Sequence, residues 1–134
     1  MRHGDIVLLI RHPQMDPEDI TRELKLEPNI AWRFGDQVKT PKGNLVPDIR
    51  KHTSWSHIIK TMGNRPFFEE VEHILLSLTD HKEFFAKILD EGGFAEIYLQ
   101  LPGQVHQGSS AKPSLLRSIA DLGLCLGVEV FPEM

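Results

Sequence analysis

Two tryptophans lie in a basic part of an otherwise acidic chain, and this combination could bind an anion or a planar group. Residues 31–66 contain seven Lys or Arg and two Asp, whereas the whole 134-residue chain carries a net charge of −4. Arginine forks bind carboxylates and phosphates, and tryptophan faces attract cations. The residues that we predict to form a ligand- or partner-binding surface are Trp32, Arg33, Asp36, Lys39, Arg50, Trp55 and His57.

Arg33 is the residue of this group with the most restricted surroundings. It lies between two aromatic residues, immediately before the turn signal Gly35-Asp36. If this segment folds back on a sheet that carries Trp55, the Arg33 guanidinium loses water and needs an acidic or carbonyl partner. We therefore predict that Arg33 is the most consequential polar residue. The alternative is structural: the tryptophans fill the core, Arg33 pairs with an acid, and the lysines face water.

No sequence motif indicates catalysis or a bound cofactor. The nucleophile elbow, the P-loop, the dinucleotide-binding glycine pattern and the HExxH and CxxC metal patterns are all missing. His52 and His57 are five positions apart, which places them on opposite faces of an extended segment. Cys125 lies in an apolar strand pattern with no histidine nearby, which favours a structural role. We predict no catalytic residue, no cofactor and no metal site.

Length and composition indicate one soluble domain covering residues 1–134. The chain is long enough for a single core, and its 40% hydrophobic and 25% charged residues are ordinary for a globular protein. The longest apolar run, residues 6–10, is too short to cross a membrane, and the N-terminal residues lack the pattern of a signal peptide. One cysteine cannot form an internal disulfide. We expect a cytoplasmic protein.

Hydrophobic patterns predict the secondary structure. Aliphatic runs and alternating residues predict strands near 6–10, 54–60, 95–101 and 124–131. Apolar stripes and capping signals predict helices after Asp16-Pro17, over 67–78, from Thr79-Asp80 to Gly92, and after Pro113. Residues 29–53, called here the turn-rich segment, contain Gly, Pro, Asn and Asp at short intervals, which predicts short strands joined by turns.

The order of these elements predicts an α+β fold. Residues 6–59 and 95–131 each contain a strand, a loop, a proline-started helix and a second strand. We predict a mainly antiparallel sheet of four to five strands with helices packed on one face, in a ferredoxin-like arrangement.

Seven short groups of residues, spread over nearly the whole chain, are similar to those of a known protein family. They are His12-Pro13, 16–21, 26–28, 31–36, 40–43, 54–56 and 122–124. Together they resemble the bacterial domain-of-unknown-function family 4279. The resemblance implies a small bacterial α+β domain, and because the family has no established activity it adds no catalytic residue. This chain differs from the expected pattern at His57, where the resemblance implies an aliphatic residue.

We interpret the chain as a non-catalytic binding or protein-interaction module that uses its basic, tryptophan-flanked surface. The alternative is a small-molecule enzyme or ligand-binding domain that recognises an anionic ligand through Arg33 and its neighbours. Single-stranded nucleic acid is a less favoured partner, because Tyr98 is the only obvious aromatic for base stacking on the predicted sheet. An enclosed pocket lined by Arg33 and a histidine would favour the enzyme, and a flat exposed patch would favour the module.

Overall fold

The chain forms one five-stranded sheet and one two-stranded hairpin in residues 4–61, 65–103 and 110–131, which are the residues that the computed structural model describes. The strands are β1 (Asp5–His12), β2 (Ile30–Trp32), β3 (Gln37–Lys39), β4 (Leu45–Ile49), β5 (Thr53–Lys60), β6 (Phe94–Pro102) and β7 (Cys125–Phe131). The α-helices are α1 (Pro17–Leu24), α2 (Phe67–Leu78), α3 (Lys82–Asp90) and α4 (Pro113–Asp121), with a 3-10 turn, Thr79–His81, between α2 and α3. The predicted strands and helices are therefore confirmed, except that the predicted α3 start at Thr79-Asp80 is a 3-10 turn and α3 begins at Lys82. The turn-rich segment contains β2, β3 and β4.

The sheet is mixed, and its strand order is β2-β5-β1-β6-β7. The pairs β1–β5, β1–β6 and β2–β5 are antiparallel, whereas β6 and β7 are parallel. The predicted α+β class is confirmed, but the ferredoxin-like arrangement is not. A split β-α-β unit places another strand between the two strands that a helix connects. Here α4 joins adjacent strands, and the turn-rich segment lets β5 return antiparallel beside β1.

The core lies on one face of the sheet, where all four helices contribute to a single apolar cluster. Ile6, Leu8 and Ile10 of β1 point to this face and are fully buried. Their neighbours in the cluster are Trp55, Ile97 and Leu99 from the sheet and Ile20, Val71, Leu75, Phe85, Ile88 and Leu115 from the helices. Each such side chain contributes about 1.5–3 kcal/mol relative to its exposed state. We call the opposite side of the sheet the open face.

Helix α1 begins where the sequence predicts. Asp16 is the N-cap, its Oδ1 accepts a hydrogen bond from the Glu18 N–H at 3.0 Å, and Pro17 occupies the first helical position. Lys25 ends the helix in the left-handed conformation, with φ 57°. Across the described ranges, the helices are too short or too polar for a membrane span.

Candidate functional site

A β-turn at residues 33–36 determines the path of the turn-rich segment. The Asp36 N–H donates to the Arg33 carbonyl at 3.0 Å, and the Asp36 carboxylate accepts from the Arg33 N–H at 2.8 Å. Gly35 has φ 91° at the third position, which favours glycine. The Arg50 N–H donates to the Asp36 carbonyl at 2.7 Å, and the Gly35 N–H donates to the Arg50 carbonyl at 2.9 Å. These backbone hydrogen bonds therefore hold Arg50 next to the 33–36 turn, which directly follows β2.

Arg50 stacks on Trp32. Its guanidinium carbon lies 3.9 Å from the centroid of the Trp32 ring. A cation–π contact of this kind contributes about 0.5–1 kcal/mol at an exposed site and more when it is desolvated. His52 meets the same indole, with ring centroids 6.3 Å apart and planes at 60°. No acidic side chain among the described residues pairs with the Arg50 guanidinium, so its N–H groups are free to bind an acceptor.

Two polar ring atoms of this group lack a hydrogen-bond partner in the described part of the chain. They are Nε1 of Trp32 and Nε2 of His52, and both atoms are buried. A buried polar atom without a partner costs about 1–3 kcal/mol. Both atoms have almost no exposed surface, so a bound group does not reach them unless the side chains around them move.

An open groove of about 530 Å³ adjoins the Trp32–Arg50 pair. Its lining residues are Ala31, Trp32, Asp36, Gln37, Lys39, Leu45 and Arg50. Five of them are exposed, and Trp32 and Arg50 are half-buried. The groove contains two cations and one carboxylate, and that carboxylate already accepts the hydrogen bond of the turn. The groove therefore has a net positive charge.

The β3–β4 hairpin adds exposed apolar side chains beside the groove. Gln37 pairs with Ile49 and Lys39 with Leu45, with a shift of register between the two pairs. Leu45 and Ile49 are 60% and 59% exposed. We call the resulting region the hairpin surface, which consists of Trp32, Lys39, Leu45, Ile49 and Arg50.

Four of the seven predicted binding residues line the groove: Trp32, Asp36, Lys39 and Arg50. Arg33 does not line it. The Arg33 side chain is 58% exposed and pairs with Asp16 Oδ2 at 3.5 Å. The Arg33 side chain is therefore mainly exposed, and its ion pair with an acid is what the structural alternative predicts.

Trp55 lies in the core rather than in the groove. It is fully buried, and its Nε1 donates to Thr21 Oγ1 at 3.0 Å. Trp55 pairs with Ile10 and points towards the helices, whereas Trp32 pairs with Ser54 and lies on the open face. Trp55 therefore fills the core, as the structural alternative predicts. Of the two tryptophans, only Trp32 remains a candidate for binding.

His57 also lies on the helix side of β5. It is half-buried, its ring stacks near Trp55 with centroids 6.4 Å apart, and its Nδ1 donates to the Glu27 carbonyl at 2.6 Å. His52 contacts Trp32 instead. Within residues 4–61, 65–103 and 110–131, no three His, Cys, Asp or Glu side chains converge in a way that could hold a metal ion.

Nearly the whole chain matches one protein family. The family model described as Domain of unknown function (DUF4279) matches residues 3–131. The chain belongs to this family. The match includes the hairpin surface as well as the five-stranded sheet, and it confirms the resemblance carried by the short residue groups. No curated protein and no solved structure matches the chain.

This DUF4279 domain contains a second polar cluster, which lies outside the predicted binding residues. His12 is 6% exposed at the end of β1, and its Nδ1 accepts hydrogen bonds from the N–H groups of Gln14 and Met15 at 3.0 and 2.9 Å. Nε2 therefore carries the proton and donates to Glu91 Oε1 at 2.8 Å. Both ring nitrogens are occupied, so His12 is a structural residue. In the sequence, the only feature that pointed to His12 was its place in the His12-Pro13 group.

Thr53 connects the DUF4279 turn-rich segment to this cluster. It pairs with His12 across β1 and β5 and is fully buried. Its Oγ1 donates to the Met15 carbonyl at 2.5 Å and accepts from the Phe34 N–H at 3.0 Å. One hydroxyl thus joins the loop before α1 to the turn that positions Arg50.

Among the described residues of the domain, Tyr98 is the group whose acidity is clearly altered. A hydrogen bond with Glu129 raises the pKa of Tyr98 above its usual 10.0, and burial and the negative charges of Glu129 and Glu96 act in the same direction. A Cβ added to Gly127 would lie 2.7 Å from Tyr98 Cδ2, which shows how closely the ring packs on β7. The Tyr98 side chain therefore packs β6 against β7.

Proposed function

We propose that this protein is a non-catalytic binding module that recognises an acidic surface of a partner protein through the hairpin surface. The observation that carries the proposal is the Trp32–Arg50 stack, with 3.9 Å between the guanidinium carbon and the ring centroid and no acid paired to Arg50 in the described residues. Tryptophan and arginine dominate the energetics of protein interfaces. Holding the guanidinium on a ring also reduces the side-chain entropy lost on binding.

The surroundings of this pair support a protein partner. Leu45 and Ile49 are apolar and exposed beside the groove, and Lys39 adds a second cation. Apolar side chains beside an arginine anchor are typical of interfaces. The rest of the chain is acidic, so the basic residues 31–66 concentrate the positive potential here. An acidic partner would be steered to this side of the molecule.

The open shape of the groove supports a module rather than an enzyme. Among the described residues, five of the seven that line it are exposed, and neither Arg33 nor a histidine lines it. A small anion held between Arg50 and Lys39 is the second candidate, because both cations line the groove and the Arg50 N–H groups are unpaired within the described chain. We place the module in the bacterial cytoplasm, where the exposed Cys125 thiol stays reduced.

A capture experiment with matched variants tests the proposal. Immobilised wild-type protein is exposed to a lysate of the bacterium that encodes it, and captured proteins are purified and measured by calorimetry at two salt concentrations. Arg50→Met removes the groove guanidinium. Arg33→Met makes the same change of charge outside the groove, where the side chain is 58% exposed.

We expect Arg50→Met to weaken binding of the captured partner by about tenfold or more. Arg33→Met should leave the Kd within about twofold, and added salt should weaken binding to the wild type. Equal losses for both variants would show that only net charge matters, and no loss for Arg50→Met would rule out the hairpin surface. A saturable shift of the Trp32 indole N–H signal with phosphate or acetate, lost in Arg50→Met, together with no captured protein, would support the small-anion candidate instead.

A further inference from the structure

Strand β7 is the outer strand of the sheet, and no strand among the described residues pairs with its free edge. Leu126, Val128 and Val130 are 44%, 56% and 57% exposed. Edges of this kind pair with other chains unless short length, proline, charged side chains (lysine above all) or a bulge protects them. The opposite edge, β2, has only three residues, whereas β7 has seven, contains neither proline nor lysine, and has Glu129 as its one charged residue.

Three residues of β7 direct their backbone N–H and C=O groups away from β6. The Gly103 N–H donates to the Phe131 carbonyl at 2.8 Å, so the polar groups of Phe131 point towards the β6 side. In a strand the N–H and C=O of one residue point the same way, and successive residues alternate. The groups of Leu126, Val128 and Val130 therefore point away from β6.

We propose that two copies of this chain pair through β7 in antiparallel orientation, with the two-fold axis at Val128. Val128 is the central residue of the seven-residue strand, so this register overlaps the whole strand. Val128 then faces Val128 of the second copy, and Leu126 faces Val130. These are the residues with outward backbone groups, and each pair exchanges two hydrogen bonds.

The side chains of β7 are self-complementary in this register. Leu126, Val128 and Val130 pair with Ile97, Leu99 and Leu101 of β6 and therefore lie on the helix side of the sheet. In the dimer the same three residues of both copies form one continuous apolar row. On the open face, Glu129 lies opposite Gly127 of the second copy, so no like charges face each other. A two-fold interface requires this match of a surface with itself, which favours a second copy over an unrelated partner.

The dimer would join the two five-stranded sheets into one continuous sheet. Each β2 would lie at an outer edge, and the two-fold axis would place both Trp32 side chains on the same face. If the hairpin surface binds as proposed above, the dimer would present two binding surfaces and gain avidity. The dimer itself does not depend on that function.

Sedimentation velocity of the full chain, from about 1 μM to about 1 mM, tests the dimer. Val128→Lys would place two ammonium groups across the axis, where the Cα atoms of a hydrogen-bonded pair are about 5.5 Å apart. We expect the wild type to dimerise in this range and Val128→Lys to raise the dimer Kd about 100-fold. Leu116→Lys, on an exposed position of α4, is the matched control and should leave the Kd unchanged. Circular dichroism checks the fold, and Val130→Lys replaces Val128→Lys if that variant unfolds.

Cross-linking tests the register. In a Cys125→Ser background, Val128→Cys should form an intermolecular disulfide under mild oxidation, because a Cα separation of about 5.5 Å suits a disulfide. Leu116→Cys in the same background should stay monomeric on a non-reducing gel. A wild type that is monomeric throughout the range, a dimer that survives Val128→Lys, or equal cross-linking of both cysteine variants would overturn the proposal. None of these results affects the Arg50 test, because the hairpin surface lies at the opposite edge of the sheet.

Discussion

His12 Nε2 donates to Glu91 Oε1 across 2.8 Å, and this hydrogen bond joins the end of β1 to the residue that follows α3. On the other side of the ring, Nδ1 accepts from the N–H groups of Gln14 and Met15. One buried imidazole therefore holds two chain reversals at the end of the sheet. Thr53, paired with His12 across the sheet, connects the same region to the turn-rich segment.

Removal of the His12 ring should be strongly destabilising. His12→Ala leaves two backbone N–H groups without an acceptor, and we expect a loss of about 3 kcal/mol in the free energy of unfolding. His12→Asn places an amide oxygen where Nδ1 accepts and should be more stable than His12→Ala by about 1 kcal/mol. Urea unfolding measures both values. Equal losses would show that the ring acts by filling space.

The hydrogen bond between Trp55 and Thr21 should contribute to stability through the buried indole. Thr21→Val keeps the volume of the side chain but leaves the Trp55 Nε1–H without its acceptor at 3.0 Å. We expect a loss of about 1–3 kcal/mol, whereas Thr21→Ser, which keeps the hydroxyl, should lose less than about 1 kcal/mol. Thermal melting followed by tryptophan fluorescence compares the two variants. The opposite order would mean that the threonine methyl group matters more than the hydroxyl.

Asp16 should matter more to stability than Arg33. Asp16 caps α1 through the Glu18 N–H, and its ion pair with Arg33 joins two partly exposed side chains at 3.5 Å. We expect Asp16→Ala to lose about 1 kcal/mol and Arg33→Met less than about 0.5 kcal/mol. The double variant measures their coupling energy by urea unfolding, which should be close to zero. A loss above about 1 kcal/mol for Arg33→Met would show that Arg33 contributes more than an exposed ion pair does.

The ionisation of Tyr98 should report on the contact between β6 and β7. The chain has one tyrosine, so its absorbance at high pH can be assigned without ambiguity. The hydrogen bond to Glu129 raises the pKa of Tyr98 in the folded state above 10.0. The fold thus favours the neutral phenol, and the stability it adds is complete below pH 10 and is lost as the pH rises through the folded-state pKa. Glu129→Ala should lower the titration midpoint towards 10.0, and an unchanged midpoint would exclude Glu129 as the main cause.

Local sequence patterns were sufficient to predict the elements of the fold. The alternating residues of 95–101 and 124–131 correctly predicted β6 and β7, and Asp16-Pro17 correctly predicted the start of α1. These signals act over a few residues, because a strand alternates its side chains and a helix end needs a nearby cap. Alternation also holds in β5, where the pairing with β1 puts Trp55 and His57 on one face.

Strand pairing and the composition of the groove were decided only by the tertiary structure. Alternation is the same for parallel and antiparallel strands, so it could not show that β6 and β7 run in parallel. The two tryptophans differ because β2 pairs Trp32 with Ser54 on the open face, whereas Trp55 points into the core. The contact of Trp32 with Arg50 likewise depends on the turn and the hairpin that return the chain to β2. Such contacts depend on the register between distant segments, and the periodicity of one segment contains no information about that register.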